Sequence, residues 1–269
     1  VLAGSEPTTI AALFEPDGDG FAAAPTTRGP WDERMMHGGA PSALLAHAIE
    51  QTQPGSDLLV TRLTIEFLSG VPVGAVDVAT SLAKPGRRFQ VVEATLDAAG
   101  RRACLARAVR VRRAELPEAA AAGPGGPRAM PAFQSGDPLP MFIDGGRELF
   151  YPDATEIRHV GGEIGSGAAA AWIRLRGDLL PGTAPSALAR VAAAADFTNG
   201  LSWILPFEDW LFVNTELTIH LQRQPEGEWI GLDARTVSDA SGTGLSTGVL
   251  HDLRGPVGVC AQALFVDRR

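Results

Sequence analysis

Cysteine, positive charge and long apolar runs are all scarce in this chain. Its 269 residues hold only two cysteines, Cys104 and Cys260. They stand far apart, near the ends of two similar stretches of sequence and on what read as core strands, so buried reduced thiols are expected rather than a disulfide framework or a zinc site. Lysine and arginine number 23 against 31 acidic residues, a formal net charge of -8. That balance argues against nucleic acid or an anionic membrane as the main partner, because phosphate neutralisation needs a basic face. An anionic ligand would have to be met by a local cluster of arginines. No apolar run approaches the ~20 residues that span a bilayer, and no basic start leads into an apolar signal segment. Glycine-rich nucleotide fingerprints in strand-to-helix context are also missing. The expectation is a soluble, cytoplasmic protein without metal or nucleotide cofactor. The opening five residues, Val1 to Ser5, are expected to be partly unstructured.

What the chain does have is a repeat. Residues 40–50 read APSALLAHAIE and residues 184–196 read APSALARVAAAAD; both follow glycine-bearing turns, at Gly38-Gly39 and at Gly182. Each is followed by a strand-like phrase, residues 60–67 (VTRLTIEF) and residues 214–221 (NTELTIHL). Proline is tolerated at a first helical position because its missing N–H has no partner there, so Pro41 and Pro185 are taken to mark helix starts. The second helix carries Leu188, Val191 and alanines on every face, the pattern of a helix enclosed on all sides. Asp196 stands out as an acid in its last turn, before a Gly200 that reads as a C-cap, where the helix dipole disfavours negative charge.

The rest of the chain repeats the same grammar of one helix and a run of antiparallel strands. Residues 10–24 predict one or two strands around an Asp17-Gly-Asp-Gly20 turn, which lacks the further oxygen ligands of a calcium loop. Strands are expected at 58–68, 76–83, 89–96 and 104–111, with a Pro54-Gly55 turn before them. The second copy gives strands at 155–160, 168–175, 211–222, 229–237, 245–250 and 257–266. Between the copies, residues 114–140 are rich in Ala, Gly and Pro and read as a linker. The domains are therefore 10–113 and 141–269. The fold class is α+β, each half a long central helix wrapped by an antiparallel sheet, and two such units side by side would join their sheets and remove two exposed edges.

Matching the copies position by position sets Asp196 opposite Thr52, Thr215 opposite Thr61, and Gln262 opposite Ala106 or Arg107. The second copy thus carries an acid, a hydroxyl and an amide as a set that the first does not. A carboxylate in an apolar setting can act as general base on water, with Thr and Gln orienting the water or the carbonyl under attack. Taken singly, each is equally explained as a helix-end acid or a satisfied core polar group. The phrases at 37–45 (HGGAPSALL), 85–90 (PGRRFQ), 196–202 (DFTNGLS), 214–221 and 227–235 (GEWIGLDAR) resemble the acyl-CoA thioesterases of the double-hotdog, thioesterase II type, over nearly the whole chain outside the linker. That resemblance implies a tandem hotdog fold and hydrolysis of a fatty acyl-CoA by a water held among Asp196, Thr215 and Gln262, with no covalent intermediate. It implies no cofactor beyond coenzyme A as part of the substrate. A dimer of double hotdogs is plausible for such fused pairs.

Other residues can be given roles from chemistry. Backbone N–H groups at a helix start suit a developing oxyanion, and Gly38 and Gly39 allow a substrate close approach. His37 is expected as a substrate-lining or structural residue rather than a base. Lys84, Arg87 and Arg88 form a compact basic turn suited to the phosphates of coenzyme A, or simply a solvated hairpin tip. Residues 244–248 (GLSTG) match the serine-hydrolase elbow, but they sit between strand-like runs rather than strand and helix, so Ser246 is a poor nucleophile candidate. A hotdog pair that binds acyl-CoA or an acyl chain without hydrolysing it is the main alternative. Hotdog hydratases pair a His with their acid, and none of the five His is set beside Asp196 by the sequence. Acyl length would depend on how Trp31, Trp203, Trp210 and Phe212 pack.

Overall fold

The computed structural model describes residues 12–53, 57–116, 130–139 and 147–269; the opening residues and the Pro54-Gly55 turn lie outside that set. In the first half, β1 (Phe14–Asp17) and β2 (Gly20–Ala23) form a hairpin. Gly18 takes a φ of 59° in its turn, where a side chain would be strained. After them come α1 (Gly39–Gln51), β3 (Leu58–Phe67), β4 (Ala75–Lys84), β5 (Phe89–Ala98) and β6 (Arg101–Arg112). The second half holds β7 (Asp137–Pro138), β8 (Thr155–Glu163), β9 (Ala168–Leu175), α2 (Ala187–Ala195), a short α3 (Phe197–Leu201), β10 (Trp210–Asn214), β11 (Glu216–Leu221), β12 (Ile230–Asp239), β13 (Thr243–Asp252) and β14 (Gly255–Arg268). The strands follow the expected runs, except that β7 falls within the stretch read as linker and that the strand predicted over 211–222 is broken at Thr215 into β10 and β11, both paired with β14.

All these strands belong to one sheet with the order β1-β2-β4-β5-β6-β3-β11-β14-β13-β12-β9-β8-β7, and β10 pairs β14 beside β11. The halves meet where β3 and β11 run antiparallel, with Thr64 opposite Thr218 and their hydroxyls 3.2 Å apart. This seam pairs what would otherwise be two exposed sheet edges. It also fixes the equivalence of the two copies. Thr218 faces Ala261 on β14, and Thr64 faces Arg107 on β6. Ala261 therefore corresponds to Arg107, and Gln262 to Ala108 rather than to Ala106 or Arg107. By the same register Cys260 corresponds to Ala106, so the two buried thiols are not equivalent.

The helices lie inside the curve of the sheet, α1 against β4 and β5 and α2 against β9 and β12, with α1 packed on α2. Leu44, Leu45 and Ile49 of α1 and Leu188 and Val191 of α2 are fully buried, each large side chain contributing about 1.5–3 kcal/mol of apolar burial. The alanines of α2 let the two backbones approach. The helix starts differ from expectation. Pro41 falls inside the first turn of α1, where its missing N–H is still unneeded. Pro185 precedes α2, whose N-cap is Ser186, its Oγ accepting the Ala189 N–H at 3.0 Å. Gly200 is not a C-cap; Asp196 is, and the chain turns directly into α3.

Of the expected linker, 117–129 lie outside the described residues, but 130–139 run along the second half. The Trp172 indole N–H donates to Pro131 C=O at 2.7 Å, and Phe133 stacks on Trp229 at 4.7 Å. Composition alone showed no period there; besides these contacts, β7 pairs β8 with Asp137 opposite His159, and the N–H of buried Leu139 donates to Ile157 C=O at 3.2 Å.

Candidate active site

Asp196 is buried, with its side chain 5 % exposed. The helix dipole of α2 alone would oppose a charge there. The antiparallel packing of α1 changes this, because it brings the N-terminal end of α1 over the carboxylate. A Cβ on Gly38, the residue before α1, would stand 2.8 Å from both Asp196 oxygens. The acid thus sits at the end of a helix whose dipole favours negative charge, and the glycine is there because nothing larger fits. Gly39 has the same constraint, since a Cβ would meet the Ala193 C=O at 2.9 Å.

Two side chains hold the carboxylate. Asn214 Nδ2 donates to Oδ1 at 2.9 Å, and His37 Nδ1 lies 3.0 Å from Oδ2. The imidazole is clamped between Phe197 at 4.3 Å and Phe150 at 5.0 Å. His37 Nδ1 is also 3.0 Å from the Gly39 N–H. A ring nitrogen carries either a proton or a lone pair, so it serves only one of these contacts at a time. With the proton on Nδ1, the carboxylate is bound and the Gly39 N–H loses its acceptor.

Gln262 is fully buried. Its Oε1 accepts the Asn199 N–H at 3.0 Å, and its Nε2 donates to the Asp196 C=O at 3.3 Å. It braces the junction of α2 and α3 and so fixes where Asp196 stands. Asn199 Oδ1, one turn past Asp196, is buried with no partner among the described residues.

Thr215 does not join this group. It is exposed, and its hydroxyl donates to Ala263 C=O at 3.2 Å. Successive strand residues point to opposite sides, so Asn214 rather than Thr215 turns toward the acid. The repeat held the clue: Thr215 matches an identical Thr61, whereas Asn214 stands where the first copy has Val60. The same asymmetry that singled out Asp196 singles out Asn214. The His37 pairing was also missed, because only the packing of α1 on α2 brings residues so distant in sequence together.

Three further groups named from the sequence take these places. Lys84, Arg87 and Arg88 lie at the β4–β5 turn, where Gln90 Nε2 donates to Gln53 Oε1 at 3.1 Å, just past the C-terminal end of α1. The helix has 13 residues, so the turn is about 20 Å from Gly38 and Asp196 at 1.5 Å per residue. Lys84 Nζ sits 4.6 Å over the Phe89 ring. Ser246 is buried in the middle of β13, 2.6 Å from the Thr236 hydroxyl, which is no nucleophile elbow. Trp31, Trp203, Phe207 and Phe212 form one aromatic cluster, with Phe207 4.6 Å from Trp31, 4.8 Å from Trp203 and 5.0 Å from Phe212. Trp210 stands apart, under Arg268 at 4.0 Å.

Two family models account for most of the sequence: that of the acyl-CoA thioesterase N-terminal domain matches residues 27–112, and that of the C-terminal domain matches 124–266. The chain belongs to the acyl-CoA thioesterase family. This thioesterase matches no curated protein significantly, but similar folds have been solved. A thioesterase-like protein of Novosphingobium aromaticivorans superposes with a TM-score of 0.72 at 20 % identity, over 94 % of this chain and 98 % of that one. A protein with a hot dog fold from Alicyclobacillus acidocaldarius gives 0.72 at 15 % identity, over 94 % and 95 %. The acyl-CoA thioesterase II of Mycobacterium marinum gives 0.65 at 18 % identity, over 87 % and 90 %. At these identities the likeness is one of fold, the hotdog fold.

The thioesterase is thus a thioester hydrolase, and its buried carboxylate is flanked by donors. A carboxylate offers about four lone-pair directions, so contacts to Asn214 and His37 leave it acceptor capacity for a further donor.

Proposed function

We propose that this chain is a tandem double hotdog that hydrolyses a fatty acyl-CoA by direct attack of water, with Asp196 as general base. The supporting observation is a buried carboxylate held between Asn214 and His37 at the start of α1. Asp196 takes a proton from water as the water oxygen bonds to the thioester carbonyl carbon. The carbonyl oxygen becomes an oxyanion and accepts the Gly39 N–H, which is free when His37 Nδ1 donates to Asp196. The C–S bond then breaks, the thiolate leaves, and the proton held by Asp196 returns to it. A thiolate is a good leaving group, so the demand falls on the base and the oxyanion donors. Asn214 takes the part first given to Thr215, and Gln262 positions the acid. No metal or cofactor is needed.

The aromatic cluster of Trp31, Trp203, Phe207 and Phe212, in which Phe212 lies two residues before Asn214 and Trp31 six before His37, offers a wall for the acyl chain. The domains proposed are 10–113 and 141–269. Among the described residues no helix is long and apolar enough to cross a membrane, and the two free thiols favour the cytoplasm. A second copy is proposed to cover the outer face of the second half, where Val213, Val237, Leu245 and Phe265 are exposed, Val237 facing Leu245 and Val213 facing Phe265 across adjacent strands.

The test is release of free thiol from a chain-length panel of acyl-CoAs. Turnover supports the proposal; saturable binding without thiol release would favour a non-catalytic acyl-CoA carrier. The His37–Asp196 pair supports one further reading, addition of water to a 2-enoyl-CoA, which would show as loss of the enoyl absorbance with no thiol formed.

A further inference from the structure

The sheet register gives the catalytic corner a counterpart. Where the second half has Asp196, Asn214 and Gln262, the first has Thr52, Val60 and Ala108, so the end of α1 carries no equivalent acid, amide or water-orienting group. Yet this end is not filled by apolar residues. It opens into a cavity of about 680 Å³ lined by Asp57, Gly86, Arg87, Arg88, Gln90 and Arg112, a volume within the range of small-molecule sites. Arg87, Arg88 and Arg112 make no ion pair among the described residues, and one carboxylate, that of Asp57, stands among them.

The floor of this cavity has unused hydrogen-bonding capacity. Gln90 is 6 % exposed; one end of its amide is paired with Gln53, and the other has no partner among the described residues. The unpaired atom is Oε1, an acceptor; turning over both amides lets Gln53 Nε2 donate to Gln90 Oε1 and presents Gln90 Nε2, a donor, to the cavity. Directly across the ladder from Gln90 is Arg110, 2 % exposed. Its Nη1 donates to Thr52 C=O at 2.7 Å, while Nη2 has no partner among the described residues. Buried polar groups without partners are expensive; the Arg110 guanidinium, which also feels the Glu50 carboxylate, keeps one free donor, and with Gln90 Nε2 turned to the cavity the two lie behind a rim of three guanidinium groups and fit an anion with several oxygens.

We propose that this cavity is a second binding site, separate from the catalytic one, for a phosphate-bearing small molecule. Arginine suits it because a guanidinium binds two phosphate oxygens side by side. A substrate whose thioester lies at Asp196 could reach it only by passing around the enclosed α1, about 20 Å from end to end at 1.5 Å per residue. The duplication thus leaves one corner with a carboxylate for chemistry and its mate with arginines for binding.

Calorimetric titration of the intact protein tests this, with adenosine 3′,5′-bisphosphate and inorganic pyrophosphate as probes. The expected result is saturable binding of at least one probe, weakened about tenfold or more by Arg112→Ala, as loss of a bidentate guanidinium–phosphate contact would give. Gln90→Leu should weaken it as well. The KM for acyl-CoA should stay unchanged in Arg112→Ala. Equal affinity for both probes would assign the site to phosphate alone, and preference for the bisphosphate would assign it to a nucleotide. Absence of binding at millimolar probe, unchanged affinity in Arg112→Ala, or a KM that rises in step with the loss of binding would overturn the proposal. The last result would return the arginines to the phosphates of the catalytic substrate.

Discussion

Asp196 and its immediate neighbours yield the sharpest expectations at the scale of single residues. Asn214→Ala removes a donor from the carboxylate and should lower kcat about tenfold to a hundredfold, whereas Thr215→Val should stay within about twofold; steady-state thiol release separates the two, and the reverse ranking would contradict the assignment. Gly38→Ala drives a methyl group to 2.8 Å from both acid oxygens and should lower kcat at least about tenfold, since small misplacements of a reacting group are expensive. Away from the site, Asp252 is fully buried. Burial opposes its charge, but the two-pronged Arg223 and the N–H groups of Glu226 and Arg254 outweigh that and hold its pKa near about 2. A depressed folded pKa stabilises above the ordinary aspartate value of 3.8 and loses that contribution as pH falls toward about 2. Asp252→Asn should therefore lose about 2 kcal/mol at pH 7, with the gap to the parent closing in denaturation curves taken between pH 4 and pH 2; a gap independent of pH would contradict it. Asp196 was legible because a lone acid interrupts an alanine helix. Asn214 was equally legible and was passed over, while the His37 contact was not, since it depends on how two helices cross.

The ends of the helices show how the elements are tied. At the end of α1, Glu50 accepts the hydroxyl proton of Ser186, the N-cap of α2, so each helix end is pinned to the other's start. Burial raises the Glu50 pKa, opposed by the Ser186 hydrogen bond and by Arg110 and Arg190. A raised pKa means that the contribution is fully present below the ordinary glutamate value of 4.5 and is lost as pH rises through the folded value. Glu50→Gln should accordingly be the more stable protein in thermal melts at pH 7, and the advantage should vanish below pH 4.5; a variant less stable at pH 7 would contradict this. Most strands could be read from alternation and turn residues, because their inward faces are apolar. The break between β10 and β11 could not, since Leu211 to Gln222 keeps strand-like residues throughout and the break is a one-residue shift of register on the same partner, β14. Helix starts were misplaced by a few residues because a proline is accepted both within a first turn and just before a cap.

Across the whole molecule, one sheet encloses two helices, and the duplication explains both the shared core and the single acid. The continuous sheet was legible from the repeated strand phrase, whereas the position of the basic turn was not, because only the register shows which end of α1 it adjoins. The outer face of the second half carries Val213, Val237, Leu245 and Phe265, an apolar patch that association with a second copy would cover. Sedimentation should show a dimer or larger assembly, and Leu245→Arg with Val237→Glu should shift it to monomer; a parent protein that sediments as a monomer would contradict the proposed pairing. The central claim is that one buried carboxylate activates the water. It is tested most directly by the kcat for acyl-CoA hydrolysis of Asp196→Asn beside the parent enzyme. The account predicts a loss of at least about a hundredfold, the scale of a general base; a variant that releases thiol at the parental rate would contradict it.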